Sequence, residues 1–264
     1  MRQTSCIFCG VLLTPSSNEL PDSRTKEHVY ARWYRDNVVN EKIKMFTADM
    51  QSAATMRRQP HLDTLVNTSV CKKCNNGWMS DLETAVDPIF QKLTSGTDIR
   101  FLSHEEVDTL ARWTGKTAVV LGYVTPIPAI IPEFIRRSLH PSSTSSPQMR
   151  FFYAYIQADM TLEGGYLQLR YGAEIPIVGH EGASGYRFTI CVFNHCLTVD
   201  FPPMLAGLRY DLSESCSAQL WPEFVPAGTS ELSLSGPLPI NEVLFAICSR
   251  VKAAFDIDLL HAPS

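Results

Sequence analysis

The 264-residue sequence lacks an apolar segment long enough to cross a membrane and an apolar leader at its start. Its longest apolar stretch without a charged residue, Thr117 to Pro132, contains three prolines and is shorter than the roughly 20 apolar residues of a membrane-spanning helix. The first ten residues lack the apolar core of a signal peptide. We therefore expect a cytoplasmic protein that does not enter a membrane.

An excess of basic charge is also lacking. The formal net charge is -4, from 27 acidic and 23 basic residues, so no general positive field indicates a nucleic-acid partner. Hydrophobic residues make up 45% of the chain and charged residues 19%, a composition that indicates a globular protein and excludes disordered and collagen-like classes. A chain of this length buries enough apolar surface to be stable without disulfides or metal ions. Any metal site should therefore serve a purpose beyond the stability of the whole chain.

Eight cysteines are present, and their spacing divides them into two groups. Cys6 and Cys9 form one Cys-x-x-Cys pair, and Cys71 and Cys74 form another. Two residues between two thiolates allow a tight turn to present both sulfurs to one tetrahedral ion, so the two pairs predict a closed structural zinc site with four thiolate ligands. Four cysteines lack this spacing, lie mostly in apolar sequence and are expected to be buried thiols: Cys191, Cys196, Cys216 and Cys248.

The order Cys-x-x-Cys, Glu27-His28, Cys-x-x-Cys-Asn75 resembles the zinc-containing HNH endonucleases, and among them the endonuclease VII-like branch. The resemblance covers about residues 5 to 84 and implies a treble-clef zinc fold with a ββα-metal site. It implies that His28 is the general base and that Glu27 and Asn75 bind a catalytic divalent ion such as Mg²⁺. Glu27 stands where Asp is more usual, and Asn67 lies one residue closer to the second cysteine pair than the family's middle Asn.

The chemistry of these side chains agrees with that resemblance. An imidazole titrates near neutral pH, which suits a base that takes a proton from water. Carboxylate and amide oxygens are ligands that Mg²⁺ accepts. Positive charge is also concentrated here, because the stretch from Arg24 to Lys73 has ten basic and five acidic residues. Candidate phosphate contacts in that stretch are Arg57, Arg58, Lys72 and Lys73, although a solvated polar face would look the same.

Other motifs in the sequence have plainer interpretations. Ser80 and Glu83 have the spacing of a helix capping box, which we favour over a metal-binding role for Glu83. Trp78 could stack on a nucleic-acid base, but we favour its interpretation as a hydrophobic plug, that is, a side chain that fills a gap in the packing. The tripeptide Gly115-Lys116-Thr117 resembles the end of a P-loop but lacks the earlier glycine and a preceding strand, so we reject that interpretation.

The sequence predicts an α+β protein with an HNH-like module at 1–95 and a mainly antiparallel α+β domain of unknown role at 97–264. Apolar periodicity predicts a helix from Ser80 to Leu93, ended by Gly96, and a second helix from a capping box at Ser103 and Glu106 to Leu121. Further predicted elements are strands at 151–157, 165–171, 186–193 and 196–201 and a final helix at 241–255.

The function expected from the resemblance is metal-dependent hydrolysis of phosphodiester bonds in DNA. The alternative is a catalytically inert zinc module that binds nucleic acid or a protein partner, or that only stabilises its neighbouring domain. The C-terminal region could also form homo-oligomers. Only the nuclease requires Glu27, His28 and Asn75 in addition to the four cysteines, and their joint presence makes us prefer it.

Overall fold

The computed structural model describes most of residues 66–144 and separate segments elsewhere. The described residues are 4–15, 20–29, 31–32, 45–47, 55–58, 66–124, 131–144, 149–157, 170–176, 184–192, 195–201, 208–211, 218–221, 232–233 and 252–255. Among these residues, no helix is both long enough and apolar enough to cross a membrane.

Helices and small, mostly antiparallel sheets give the chain the predicted α+β class. In chain order the elements are β1 (Arg24–His28), β2 (Met45–Thr47), β3 (Thr55–Arg58), β4 (Val66–Cys71), α1 (Lys72–Cys74), a π turn (Asn75–Met79), α2 (Ser80–Thr94), a 3-10 turn (Ile99–Phe101), α3 (His104–Val124), α4 (Glu133–Ser138), β5 (Arg150–Gln157), β6 (Arg170–Pro176), β7 (Ser184–Val192), β8 (His195–Phe201), β9 (Leu208–Asp211), β10 (Ala218–Trp221), β11 (Leu232–Ser233) and β12 (Lys252–Phe255).

The chain divides into two compact units. The first consists of Met1–Ile43 and Gln59–Gln148, and the second of Lys44–Arg58 and Met149–Ser264. The boundary predicted after residue 95 falls inside the first unit, between α2 and the 3-10 turn. The four helices of the described residues therefore belong to the same unit as the two Cys-x-x-Cys pairs.

The first unit is built around an antiparallel pair of strands followed directly by helix. Strand β1 pairs with β4, with Arg24 opposite Cys71 and His28 opposite Val66. Between Thr25 and Glu27 there is one residue on β1, whereas the matching stretch of β4 has two, so β4 has a bulge. The bulge places Asn67 opposite Glu27.

Helix α2 ends as the sequence predicts. Gly96 has a φ of +93°, which glycine adopts without strain. The amides of Gly96 and Thr97 donate to the carbonyls of Leu93 and Lys92, which is the hydrogen-bond pattern of a glycine-terminated helix. The buried face of α2 comprises Val86, Ile89, Phe90 and Leu93, and Phe90 meets Trp113 of α3 edge to face with ring centroids 5.2 Å apart.

The two predicted capping boxes have different outcomes. At the start of α3 the Ser103 amide donates to Glu106 Oε2 at 2.8 Å, and the Glu106 amide donates to Ser103 Oγ at 3.2 Å, so this box is confirmed. The box at Ser80 and Glu83 is wrong. The chain kinks at Gly77, whose φ of -101° and ψ of -119° are not helical, and the Ser80 amide donates to the Gly77 carbonyl. Met79 and Ser80 are already helical, so Ser80 lies inside the helix that follows this kink and is not its N-cap.

In the second unit, the main sheet has the order β10-β5-β8-β7-β6, and β11 adds to β5 in parallel. Strands β5, β7 and β8 confirm three of the predicted strands, and Val192 of β7 lies opposite His195 of β8. Part of the fourth, 165–169, lies outside the described residues. Its end belongs to β6.

The predicted final helix is wrong where the structure describes it. Residues 252–255 form β12, which pairs antiparallel with β9, so pairing between strands outweighs the helical spacing of apolar residues there. Residues 241–251 of the predicted helix lie outside the described residues.

Candidate functional site

The four cysteines of the two Cys-x-x-Cys pairs form a cluster that could hold a metal ion such as zinc. The sulfurs of Cys6, Cys9, Cys71 and Cys74 all lie within 4.8 Å of one another. A tetrahedral zinc ion with Zn–S bonds of about 2.3 Å separates its sulfurs by roughly 3.8 Å, and the sulfurs of Cys9 and Cys71 are 3.7 Å apart. The residues present therefore fit a tetrahedral ion.

Local backbone geometry builds the two turns that present these sulfurs. In the first turn, the Gly10 amide donates to the Cys6 carbonyl at 2.9 Å, and Gly10 has a φ of +76°. In the second, the Cys74 amide donates to the Cys71 sulfur at 3.4 Å. The Cys71 amide also donates to the Cys6 sulfur at 3.5 Å. Amides aimed at sulfurs favour the thiolate form that a metal ion requires.

The cluster brings together segments that are far apart in sequence. The Ile7 amide donates to the Ser69 carbonyl at 3.0 Å, and the Lys72 amide donates to the Ser23 carbonyl at 2.9 Å. The first cysteine turn is thus fastened to β4, and the residue before β1 is fastened to the start of the helix. Three of the four cysteines are buried, and Cys9 is exposed.

Without a cation, the thiols share protons unevenly. Hydrogen bonds from Cys71 and Cys74 lower the pKa of Cys6. The same hydrogen bonds, with burial, raise the pKa of Cys71 to about 12 and also raise the pKa of Cys74. A cluster of four thiolates at neutral pH therefore requires a bound cation, and metal binding must release protons.

Aromatic and basic side chains cover the cluster. The rings of Phe8 and Trp78 meet edge to face with centroids 5.2 Å apart, and the Trp78 ring also meets His140 at 5.7 Å. These are the packing contacts expected of a plug. From α4, Arg136 Nη1 donates to the Ile7 carbonyl at 2.8 Å. The cluster is therefore supported by a helix that lies about 130 residues further along the chain.

The proposed catalytic residues lie on the β1–β4–helix arrangement next to the cluster. Glu27 and His28 are the last two residues of β1, with Glu27 buried and His28 half-buried. Asn75 directly follows the last cysteine, and its Nδ2 donates to Thr25 Oγ1 on β1 at 3.0 Å. The structure thus brings Asn75 to the strand that carries Glu27 and His28.

The Glu27 side chain is paired with a lysine that the sequence did not indicate. Lys116 Nζ of α3 lies 3.1 Å from Glu27 Oε1 and 2.7 Å from Glu83 Oε1 of α2. The Lys116 side chain is 0% exposed, compared with 7% for Glu27 and 24% for Glu83. We call these three residues the acid–lysine cluster. Glu83 thus serves an ion pair and not the helix cap expected from its spacing.

The pKa values in the acid–lysine cluster reflect burial and mutual charge. Burial and the nearby Glu83 carboxylate raise the pKa of Glu27, against the opposing effect of Lys116. Burial by itself lowers the pKa of Lys116, but the two carboxylates outweigh it, and the pKa of Lys116 is raised. The ammonium is therefore charged at neutral pH.

Asn67, the candidate for the family's middle Asn, has a local role. It is buried, lies opposite Glu27, and accepts a hydrogen bond from the Ser69 amide on Oδ1 at 2.6 Å. That bond closes the β4 bulge. Its Nδ2 is buried and has no hydrogen-bond partner among the described residues.

A divalent ion does not fit at Glu27 while Lys116 is in contact with it. Mg²⁺ needs several oxygen ligands at about 2.0 to 2.1 Å, whereas the Glu27 carboxylate faces a buried ammonium. Within the described part of the chain, no other set of three or more His, Cys, Asp or Glu side chains gathers its ligand atoms as the four cysteines do.

The candidate phosphate contacts fall in both units. Lys72 is half-buried and Lys73 is exposed, and both form α1 between Cys71 and Cys74. Arg57 and Arg58 end strand β3 in the second unit.

Lys116 is the functional candidate that sequence reasoning missed. It lies in the interior of α3, where no phosphate-binding loop can form, so the P-loop interpretation stays rejected. A signal was nevertheless present, because Lys116 is the only charged residue between Arg112 and Glu133. A single charge in a long apolar helical stretch indicates a buried ion whose partner is distant in sequence.

No protein family model, curated protein or solved structure matches this chain.

Proposed function

We propose that the chain is a metal-dependent endonuclease of the HNH type that hydrolyses phosphodiester bonds in DNA. The observation that carries the proposal is the position of Glu27, His28 and Asn75. Two of them end β1, and the third is the first residue after α1 and is hydrogen-bonded to β1. The four-cysteine cluster joins the first Cys-x-x-Cys turn to the end of β4 and to α1. In this proposal the clustered ion is zinc and the surrounding fold is a treble clef.

Each residue then has a distinct role. His28 accepts the proton of the attacking water, which suits a half-buried imidazole at the end of a strand. Glu27 and Asn75 are the candidate ligands of the catalytic divalent ion. Lys73, exposed between the two cysteines of the second pair, is placed to contact a phosphate, and Lys72, Arg57 and Arg58 remain further candidates. The zinc ion holds the first Cys-x-x-Cys turn against β4 and α1 and takes no part in hydrolysis.

A second function has an observation in its favour. The contact between Glu27 and Lys116 would equally suit an inert zinc module that binds nucleic acid or a protein partner, because such a module does not need Glu27 as a metal ligand. The two functions differ in what His28 contributes.

Nicking of supercoiled plasmid by zinc-loaded protein in Mg²⁺, Mn²⁺ or Ni²⁺ tests the nuclease. We expect metal-dependent nicking that falls by about 100-fold or more in His28→Ala, because a general base contributes roughly 10² to 10⁴ in rate. The matched control is His104→Ala, which removes an exposed imidazole at the start of α3 and should leave the rate unchanged.

Two outcomes would contradict this assignment. Equal nicking by the parent protein and His28→Ala would show that His28 is not the base. No nicking by protein with one zinc per chain would favour the inert module, and gel-shift binding of the same DNA by parent protein and Lys73→Ala would then test the nucleic-acid partner.

A further inference from the structure

The acid–lysine cluster is a buried cation site built from three separate elements of the first unit. Its ammonium comes from the interior of α3, and its carboxylates come from the end of β1 and the first turn of α2. Lys116 is 89 residues from Glu27 and 33 from Glu83 in sequence. A charge withdrawn from water is tolerated only when it is paired, so these three residues must be in contact whenever Lys116 is buried.

The position of the ammonium conflicts with a divalent ion at Glu27. The Lys116 nitrogen lies 3.1 Å from Glu27 Oε1. A divalent ion bound to the same carboxylate at about 2.0 to 2.2 Å would stand within a few ångströms of that nitrogen. Two cations at that separation repel strongly where water is excluded, and the side chains of Lys116 and Glu27 are 0% and 7% exposed.

Glu83 strengthens the hold on Lys116. Its Oε1 is the nearer of the two carboxylate oxygens, at 2.7 Å from the ammonium. With Glu83 in place, the ammonium contacts two carboxylates, and a competing ion at Glu27 would have to displace a side chain that has no exposed surface.

We propose that Lys116 is the resident cation of the Glu27 site and excludes divalent ions from Glu27 in the free protein. This inference rests on the proposed function, because it concerns the residue proposed to bind the catalytic ion. It adds a regulatory step to that function. Metal can reach Glu27 only when the contact with Lys116 opens, so the free protein binds metal at the four cysteines and not at Glu27.

Titration of zinc-loaded protein with Mn²⁺, followed by loss of the free Mn²⁺ electron paramagnetic resonance signal, tests this inference without nucleic acid. Four proteins are compared: the parent, Glu27→Gln, Lys116→Met and the double variant Lys116→Met, Glu27→Gln. We expect the parent and Glu27→Gln to bind Mn²⁺ alike. Lys116→Met should gain one bound Mn²⁺ per chain, and the double variant should lose it again.

Thermal unfolding provides a second readout. Mn²⁺ bound only by the folded state raises the melting temperature, so Mn²⁺ should stabilise Lys116→Met and leave the parent unchanged. If Lys116→Met does not fold, Lys116→Gln replaces it, because the amide keeps a polar side chain of similar length without the charge. The control outside the cluster is Lys92→Met, which removes the same charge as Lys116→Met and should gain no Mn²⁺ site.

The inference is overturned if the parent protein binds a Mn²⁺ that Glu27→Gln abolishes. It is also overturned if a folded Lys116 variant gains no Mn²⁺ site that depends on Glu27. Failure of the nuclease proposal would look different. In that case no variant nicks plasmid, while the gain of a Mn²⁺ site in Lys116→Met remains.

Discussion

Two clusters in the first unit collect negative charge, but they obtain the compensating cation in different ways. The four cysteines could hold a metal ion taken from solution, and binding it requires all four to be thiolates. The two carboxylates of the acid–lysine cluster hold an ammonium that the chain itself supplies. The first cluster therefore depends on metal supply, and the second does not.

The cation at the four cysteines can exchange with solution, whereas the cation at the two carboxylates is part of the chain. A metal ion dissociates at a rate that its affinity determines, whereas a lysine in the middle of a packed helix leaves its partners only if the packing opens. Both clusters also join β1 or β4 to helices. The comparison therefore predicts that each cluster stabilises the first unit, with the four-cysteine cluster contributing more.

The largest expected effect is loss of the four-cysteine ligand set proposed to bind zinc. Cys71→Ser removes one thiolate and should release zinc and unfold the first unit, because structural zinc contributes on the order of 10 kcal/mol of apparent binding free energy that is coupled to folding. The measurements are zinc content per chain and circular dichroism during thermal unfolding.

The control for Cys71→Ser is Cys191→Ser, which changes a cysteine outside the two Cys-x-x-Cys pairs and should retain one zinc per chain. A folded Cys71→Ser protein with full zinc content would mean that the cysteine cluster is not the zinc site.

The next effect is removal of the resident ammonium. Lys116→Met leaves the buried Glu27 carboxylate next to the half-buried Glu83 without a counter-ion, and loss of one partner from a buried pair costs about 3 to 5 kcal/mol. The exposed pair of Lys92 and Glu106 provides the matched comparison, with Lys92 52% exposed. Lys92→Met should cost no more than about 1 kcal/mol.

Free energies of unfolding from denaturant titration measure both changes. Equal costs for Lys116→Met and Lys92→Met would contradict the view that burial makes Lys116 important, since both lysines contact glutamate and differ mainly in exposure.

The sequence predicted the cysteine cluster well because its geometry is local. Two residues between cysteines and a positive-φ glycine after Cys9 are sufficient to form a turn, and each turn is encoded within five residues. The α3 cap and the end of α2 at Gly96 were predictable for the same reason.

The acid–lysine cluster could not be predicted in this way. Glu27 and Lys116 meet only because α3 packs against the first unit's strands and α2, which no short pattern encodes. The capping spacing at Ser80 and Glu83 was misleading because the helix resumes directly after the kink at Gly77, so Ser80 is already helical and Glu83 contacts Lys116 instead. Strand β12 was missed because its pairing with β9 depends on residues about 40 positions earlier.

The smallest expected effect is that of Glu83→Gln, which tests how much each of the two carboxylates of the acid–lysine cluster contributes to stability. Glu83→Gln should cost at most about 1 kcal/mol of unfolding free energy, since Glu83 is 24% exposed and water already compensates part of its charge. It also removes one of the two like charges around Lys116, and so it should lower the pKa of Glu27, which the Glu83 carboxylate helps to raise.

Glu27→Gln should cost more, about 1 to 3 kcal/mol, because it leaves the ammonium with only its half-buried partner. Denaturant titration gives both costs, and carboxyl ¹³C chemical shifts followed against pH give the pKa of Glu27 in Glu83→Gln. If Glu83→Gln instead cost as much as Lys116→Met, Glu83 would be the main partner of the ammonium. Glu27 would then be the weaker ligand of Lys116, and a divalent ion would displace the lysine from it more readily than the comparison of the two clusters implies.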